Sequence, residues 1–355
     1  MKHRRVRRKS SNGRLGKRTT LKDVADMLSV TPATVSKALR DSSDISPETK
    51  EVVRKVSREL GYRPNLLARS LINNRSKILG VLVPDLRISF YTTAVRGMYE
   101  EASKKGYQCV ILVHDELESK EKEKLEFLSD ISVDGILLNA AGGKGNNPTI
   151  QNLMKQGIRF VCWDRGLDDF SFRAVKIDDV KAAFNLTSKI ISHGRKRIVF
   201  LGPHTRIPVL RDRFEGYKTA LKEHGIPFQP ELVVQSFRSI EDSHAKISAL
   251  LNQGVHFDGL ISISGGMSTF GAGKAILEMK KRIPHDVMIG DFGDNEIVFR
   301  LGVPFYSIDQ KPHEIGVAAT DLIVKEIESE NPDVEFADLT IGAEVVERRP
   351  VRLCD

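Results

Sequence analysis

Short apolar runs alternate with amphipathic helical patterns from residue 78 to about residue 289, and no other feature of the sequence constrains the fold as strongly. Apolar runs bounded by polar segments are typical of buried strands, whereas apolar residues spaced three and four apart indicate helices. The alternation therefore predicts parallel sheets covered by helices on both faces. The expected strands are Ile78–Val83, Gln108–Val113, Val133–Leu138, Ile158–Trp163, Ile198–Leu201, Leu232–Gln235, Gly259–Ile263 and Val287–Ile289. The expected helices lie near 91–105, 119–130, 148–156, 180–193, 210–224, 241–253 and 268–282.

These strands fall into two series of four or five, which indicates two sheets and therefore two lobes. We expect the first lobe to comprise about 76–176 and 305–338, and the second about 177–304 and 339–355. Ligands of open α/β sheets bind beyond the carboxyl ends of the strands. The cleft between the lobes is therefore the expected small-molecule site.

The segment before residue 76 has only helical patterns of apolar residues and no strand-like runs. It predicts an all-α domain over 19–63. One apolar stripe marks its first helix: Leu21, Val24, Ala25 and Leu28. Thr31 and Ser46 are each followed by proline, a combination typical of helix N-termini. A further helical segment within 64–75 is so short that it would need a partner in order to fold.

Positive charge is concentrated at the N-terminus. The formal net charge of the chain is +8, yet residues 1–18 alone hold nine Lys or Arg and no acid. The remainder up to residue 75 is mildly basic, and 76–355 is mildly acidic. A polyanion would therefore bind at the N-terminal head, and the first 18 residues are expected to form a disordered basic arm.

Several classes of protein are disfavoured by the same sequence. It contains no run of 18 apolar residues that would span a membrane, and no apolar signal-peptide core follows the basic start. The three cysteines, Cys109, Cys162 and Cys354, are few and widely spaced, so neither a disulfide framework nor a zinc site is expected. We expect a cytoplasmic protein that uses no cofactor or metal.

The stretch from Thr20 to Leu39 has the layout of a helix-turn-helix, in which the second helix enters the major groove of DNA. Ala33, Thr34 and Lys37 project from the first turns of that second helix. Small residues allow close approach to the base edges, and a lysine at this place can donate to guanine.

The residues from Thr20 to Leu71 resemble the DNA-binding head of the LacI family of bacterial transcription regulators. Two nearly continuous strings carry the resemblance: TLKDVADMLSVTPATVSKALR and ISPETKEVVRKVSRELGYRPNLLARSL. A weaker resemblance continues to about residue 348 through strings such as SVDGILLN, CWDRG, HGRKRIVFLG and SIDQKPHEIGVAATDLI. The resemblance implies a helix-turn-helix head, a hinge helix, and a two-lobed α/β core like that of periplasmic binding proteins.

The resemblance also implies roles for individual residues. Pro32, Ala33 and Lys37 occupy the base-reading positions, and Lys37 is the main polar reader among them. Leu71 is the apolar wedge that the hinge helix inserts at the central base step, a contact that bends the duplex. The complete set of DNA-binding residues expected is Thr20, Thr31, Pro32, Ala33, Thr34, Ser36, Lys37, Asn65, Ala68, Arg69 and Leu71.

The effector-binding residues implied by the resemblance are Phe90, Asp164, Arg213 and Asp294. An aromatic ring can stack on a sugar, and an Asp–Arg pair that faces a cleft can hold hydroxyls, carboxylates or phosphates. The sequence departs from the family pattern after two strands of the second lobe, at Ser264–Gly266 and Gly290–Asn295. The family usually has an acidic ligand-binding residue after the second of these strands. In this chain that residue is either Asp294 or absent. Both departures argue against a typical neutral-sugar pocket.

We therefore expect a dimeric, sequence-specific transcription regulator, most simply a repressor. Its partners would be a palindromic double-stranded DNA operator, a small-molecule effector that is a sugar or a sugar derivative, and a second copy of the chain. No membrane partner is expected, and DNA binding would associate the protein with the nucleoid.

Two other classes of protein are alternatives. One is a periplasmic sugar-binding protein, which the missing signal sequence and the hinge string argue against. The other is an enzyme on the same α/β core, yet the sequence offers no complete phosphate loop, nucleophile elbow or metal motif. The chain is therefore expected not to be an enzyme.

Overall fold

The computed structural model describes residues 19–62, 75–167, 173–202, 207–236, 239–263, 265–293, 296–329 and 338–350. The chain divides into two compact units between Ser76 and Lys77. The hinge segment predicted at 64–75 lies, except for residue 75, outside the described residues.

The N-terminal unit contains three helices: α1 (Leu21–Leu28), α2 (Pro32–Leu39) and α3 (Pro47–Glu59). A hydroxyl side chain caps each of them, because Thr20, Thr31 and Ser46 accept hydrogen bonds from backbone amides in the first turn. Their apolar stripes meet in a small core of buried residues: Val24, Ala25, Val35, Ala38 and Val53.

The C-terminal unit contains two six-stranded sheets. The strands of the first sheet are β1 (Ile78–Val83), β2 (Gln108–Val113), β3 (Gly135–Leu138), β4 (Arg159–Trp163), β5 (Arg173–Lys176) and β11 (Leu339–Thr340). Those of the second are β6 (Ile198–Leu201), β7 (Val233–Val234), β8 (Gly259–Ser262), β9 (Met288–Phe292), β10 (Phe305–Asp309) and β12 (Glu344–Arg348). The strand orders are β11-β5-β4-β3-β1-β2 and β12-β10-β9-β8-β6-β7. All pairs are parallel except β10 with β12.

Helices connect most of the successive strands, as expected for parallel sheets. They are α4 (Ser89–Lys104), α5 (Glu118–Asp130), α6 (Asn147–Lys155), α7 (Asp179–Ser192), α8 (Pro208–Glu223), α9 (Ile240–Asn252), α10 (Gly266–Glu278), α11 (Glu296–Phe299) and α12 (Pro312–Glu328), with a short 3-10 helix at Pro230–Leu232. The predicted architecture of N-terminal helices followed by a two-lobed α/β core with parallel sheets is confirmed.

Helices α4 and α12 pack closely because each presents a glycine to the other. A Cβ atom on Gly97 would clash with the carbonyl oxygen of His313, and one on Gly316 would clash with that of Ala94. This contact fixes α12 on the first lobe, although the strand before it belongs to the second sheet.

The predicted assignment of 305–338 to the first lobe is therefore wrong at both ends. Strand β10 pairs with β9 through Tyr306 and Gly290, which places it in the second sheet. Strand β11, assigned by the prediction to the second lobe, pairs with β5 through Leu339 and Val175 in the first sheet. The chain crosses between the lobes three times, the number that the expected bounds imply. Short strands whose pairing is non-local gave no signal that locates the second and third of these crossings.

Candidate functional site

Helix α2 presents an exposed face at the surface of the N-terminal unit. Ser29 adopts a left-handed conformation with φ of 53° and so ends α1 sharply. The Thr31 hydroxyl then accepts a hydrogen bond from the Thr34 amide at 3.1 Å, with Pro32 in the first helical position. These local signals, all present in the sequence, fix where α2 begins.

Ala33 and Lys37 are one helical turn apart and both are exposed, whereas Val35 and Ala38 point into the core. The Lys37 Nζ atom lies 2.5 Å from Asp44 Oδ2. This hydrogen bond with Lys37 lowers the pKa of Asp44 to about 2. Because both side chains are about half exposed, water screens the ion pair, and Lys37 is able to exchange Asp44 for another acceptor.

The residues predicted to read DNA from the N-terminal unit all lie at or near the start of α1 or on α2. The structure gives Thr20 and Thr31 capping roles, because both hydroxyls accept backbone amide hydrogens. Thr20 also forms a reciprocal capping box with Asp23. The predicted minor-groove residues lie outside the described residues: Asn65, Ala68, Arg69 and Leu71.

In the C-terminal unit, three of the four predicted effector residues meet around one small cavity between the lobes. Phe90, Asp164 and Arg213 line this cavity, which has a volume of about 40 Å³. Asp294, the fourth predicted residue, lies outside the described residues. The cavity opens beside a larger one of about 390 Å³, and Asp164 and Val209 line both. The larger volume is within the usual range of ligand pockets.

Arg213 is held by the second lobe and by the crossing segments. Its Nε atom donates to Asp179 Oδ1 at 2.7 Å, and its two terminal nitrogens donate to the Ile263 carbonyl at 2.7 Å and to Gln310 Oε1 at 3.0 Å. The guanidinium also lies 4.2 Å from the centre of the Phe292 ring. The expected Asp164–Arg213 pair is therefore replaced by an Asp179–Arg213 pair.

Burial raises the pKa of Asp179 to about 6, although the attraction of Arg213 acts in the opposite direction. The carboxylate is charged at neutral pH but desolvated, so it depends on Arg213 for compensation. Sequence reasoning missed Asp179 because nothing in the sequence distinguishes it from Asp178, its neighbour, which caps α7.

Asp164 follows β4 in a left-handed conformation with φ of 59°. Its carboxylate accepts a hydrogen bond from Asn139 Nδ2 at 3.0 Å and lies 3.7 Å from the Nε atom of Arg165. Arg165 is 1% exposed and also lines the small cavity. Its place next to Asp164 in the string CWDRG was the signal that could have identified it, but only the structure shows that it lines the cavity.

Sequence comparison accounts for both units. The model of the family described as "Bacterial regulatory proteins, lacI family" matches residues 20–65. The model described as "Periplasmic binding proteins and sugar binding domain of LacI family" matches residues 76–340, which is most of the chain. The chain belongs to the LacI family. The resemblance predicted from the sequence is thereby confirmed.

Known LacI-family proteins resemble the chain over nearly its full length. The transcriptional regulator RegA of Clostridium saccharobutylicum is 29% identical over 332 residues, covering 93% of this chain and 98% of RegA. Catabolite control protein A of Staphylococcus xylosus is 28% identical over 314 residues, covering 88% of this chain and 94% of that protein. RegA is named as a transcriptional regulator, and the family model that matches the N-terminal unit describes regulatory proteins. This LacI-family chain is accordingly a DNA-binding transcription regulator.

A solved LacI-family structure shows the same fold. The Lac repressor dimer bound to operator and the anti-inducer ONPF aligns with a TM-score of 0.83 at 20% identity, covering 95% of this chain and all of that one. Within the described residues, no helix is long and apolar enough to cross a membrane.

Proposed function

We propose that the protein is a repressor that binds a palindromic operator as a homodimer and that a small-molecule effector controls its affinity for DNA. The observation that carries the proposal is that one chain combines an exposed, capped α2 with a two-lobed cleft in which Phe90, Asp164 and Arg213 converge. A DNA-reading head and a ligand cleft on one chain are the two sites that a ligand-controlled regulator requires.

On DNA, α2 enters the major groove with its exposed face towards the bases. Pro32 and Ala33 offer apolar contact to thymine methyl groups, and Lys37 donates to guanine after leaving Asp44. Thr34 and Ser36 contact phosphates, as do Thr20 and Thr31 where their capping bonds permit. Asn65, Ala68 and Arg69 accompany Leu71 in the minor groove, where Leu71 is the wedge.

An apolar edge on the first lobe supports the homodimer. Strand β2 is the last strand of the first sheet, so one of its sides has no neighbouring strand within the described chain. Every residue of β2 is at least partly exposed, although the strand reads Gln-Cys-Val-Ile-Leu-Val. Ile111 is 40% exposed and Leu117, just beyond the strand, is 48% exposed. An exposed apolar edge strand is a site where another chain binds, and a second copy is the occupant that a palindromic operator needs.

The effector proposed for the cleft is a sugar or a sugar derivative. The ring of Phe90 and the charged groups of Asp164 and Arg213 supply the stacking surface and the hydrogen bonds that hydroxyls need. The names of relatives support this class, for example the ribose operon repressor of Halalkalibacterium halodurans, which is 29% identical over 315 residues. The effector would control DNA binding only to the extent that it binds the two states of the protein with different affinity.

The experiment that tests the proposal is operator selection from a random-sequence library with the purified protein, repeated with a panel of sugars and sugar derivatives. A palindromic consensus whose recovery changes with one compound is the expected result. Ligand binding is measurable directly, because Trp163 is the chain's single tryptophan and precedes Asp164 of the cleft. Recovery of no consensus, or of an asymmetric one, would contradict the proposal.

Replacing Lys37 with alanine is expected to weaken operator binding about 5- to 150-fold for each half-site and to relax selection at one base pair of each half-site. The reason is that a side-chain contact to a base edge contributes about 1–3 kcal/mol of discrimination. Library selection with both proteins measures the change. Lys22→Ala, an exposed lysine on α1, is the matched control and should keep the selected sequence. An unchanged consensus for Lys37→Ala would remove Lys37 from the base-reading set.

Deletion of residues 2–18 is expected to reduce the slope of log affinity against log salt concentration for any DNA sequence. Each phosphate that the protein no longer neutralises lowers that slope by about 0.9 on duplex DNA, and the deleted arm carries nine Lys or Arg. Titrations at several salt concentrations, on operator and on unrelated DNA, measure it. The selected consensus should not change, and an equal slope would show that the arm does not bind DNA.

A further inference from the structure

A turn with unusual backbone geometry joins the edge strand β2 to helix α5. Asp115 and Glu116 are consecutive, and both have positive φ angles, of 52° and 61°. This left-handed region is unfavourable for residues other than glycine, and two in succession persist only where the surroundings hold them. The contacts that hold this turn therefore indicate what it is coupled to.

The main contact is a buried arginine from the cleft. Arg165 Nη1 donates to Glu116 Oε2 at 2.6 Å, and Arg165 Nη2 donates to Glu116 Oε1 at 3.0 Å, which is a two-point ion pair. The same Nη2 atom donates to the Tyr91 hydroxyl at 2.7 Å. With 1% exposure Arg165 has no access to bulk water, so its position depends on these partners and on Asp164.

The two ends of this contact belong to different sites. At one end, Asp164, Arg165 and Tyr91 line the small cavity of the cleft. At the other end, Glu116 directly precedes Leu117, which belongs to the exposed apolar edge beside β2. Asp164 itself has a positive φ of 59°, so residues in left-handed conformations lie at both ends. A single guanidinium therefore connects the cavity to the apolar edge.

We infer that Arg165 is a positioning residue that couples the occupancy of the cleft to the state of the β2 edge through Glu116. This inference rests on the proposed function, in which the effector binds in the cleft and the second copy binds at β2. A ligand that bonds to Asp164 or to the Tyr91 hydroxyl competes for partners of Arg165. Movement of Arg165 releases the Glu116 carboxylate, and the unfavourable turn that carries Leu117 then relaxes.

Coupling between two binding sites is reciprocal, so assembly at the edge must also alter the cavity. This consequence makes the inference testable before any effector is identified. Trp163 reports on the cavity, because its ring meets that of Tyr91 edge to face at a centroid distance of 6.0 Å. It is the only tryptophan in the chain, so fluorescence of the whole protein reads this one position.

The experiment is a double-mutant cycle on the full-length protein, with the wavelength and intensity of the buried Trp163 emission as readouts. Ile111→Asp removes the edge contact, and Glu116→Gln keeps the shape of the side chain but removes its charge. Sedimentation velocity measures the oligomeric state of each variant. We expect Ile111→Asp to change the Trp163 signal in the wild-type background and to change it at least twofold less in the Glu116→Gln background.

Two further variants complete the design. Glu123→Gln, an exposed glutamate on α5 that pairs with Lys124, is the matched control and should leave the effect of Ile111→Asp intact. Arg165→Lys keeps the charge but loses the two-point geometry, so it should behave like Glu116→Gln. It replaces Glu116→Gln in the cycle if near-ultraviolet circular dichroism shows that the latter is misfolded.

Failure of the coupling through Glu116 and failure of the proposed dimer would give different results. If Ile111→Asp abolishes the dimer without changing the Trp163 signal, or changes it equally in both backgrounds, the coupling through Glu116 is refuted while the dimer stands. If the wild-type protein is a monomer at tens of micromolar, the proposed dimer fails, and the inference fails with it.

Discussion

Replacing Arg213 with methionine is expected to lower the free energy of unfolding of the C-terminal unit by about 3–5 kcal/mol at pH 8, because the substitution leaves Asp179 as a buried carboxylate without a cation. Methionine preserves most of the volume against Phe292. The loss also leaves the Ile263 carbonyl and Gln310 without the donors that Arg213 supplied. Urea unfolding, followed by Trp163 fluorescence, measures the change.

The cost of this substitution should depend on pH. In the wild-type protein the pKa of Asp179 is raised to about 6, above its ordinary value of 3.8. A raised carboxyl pKa means that the native state binds the proton more tightly than the unfolded state, so stability from this group falls as pH rises from about 4 to 6. Without Arg213 the pKa rises further and the fall continues above pH 6. The difference in stability between the two proteins should therefore be smaller at pH 5 than at pH 8.

Arg211→Met is the matched control, since Arg211 lies one helical half-turn earlier on α8 and is mostly exposed. Its effect should stay within about 0.5 kcal/mol at both pH values, as is usual for surface substitutions. A loss for Arg213→Met that is the same at pH 5 and pH 8 would show that the buried charge of Asp179 does not cause it.

Replacing Ile111 with aspartate is expected to reduce operator affinity about 10²- to 10⁴-fold at nanomolar protein concentration. In the proposed homodimer, a charge placed at this apolar edge prevents the second copy from docking. A head that binds alone loses the high effective concentration that a linked second head provides. Sedimentation velocity and operator titration measure the two effects.

Met154→Asp is the control for this prediction, because Met154 is similarly exposed, at 45%, but lies on α6 away from the β2 edge. It should leave both the dimer and operator affinity unchanged. A dimer that survives Ile111→Asp would move the interface to another surface of the chain.

In the N-terminal unit, the residues next to each helix start were enough to predict the helices. The caps Thr31 and Ser46 and the prolines that follow them set the starts of α2 and α3 where the sequence predicted them. Short helices with strong caps depend on interactions between residues three or four apart, and such interactions are visible in the sequence. The exposure of Lys37 follows from the same periodicity, but its ion pair with Asp44, seven residues away, does not.

In the cleft, the sequence predicted several of the lining residues but not their ion-pair partners. The sequence placed Phe90 and Asp164 next to strands and Arg213 within a helical pattern, and the structure brings all three to one cavity. It did not reveal that Arg213 pairs with Asp179, or that Arg165 pairs with Glu116 across 49 positions. Which acid a buried arginine selects depends on distances between segments far apart in the chain, and hydrophobic periodicity carries no information about them.

The sequence by itself determined the two-part organisation, the helix-turn-helix, the alternation of strands and helices, and the LacI family. Those features rest on periodicity, capping and strings of adjacent residues. Only the tertiary structure decided where the second and third crossings between the lobes lie, which acids the buried arginines pair with, and which strand forms the exposed edge. These depend on non-local strand pairing and on the desolvation of charge, which exist only when the chain is folded.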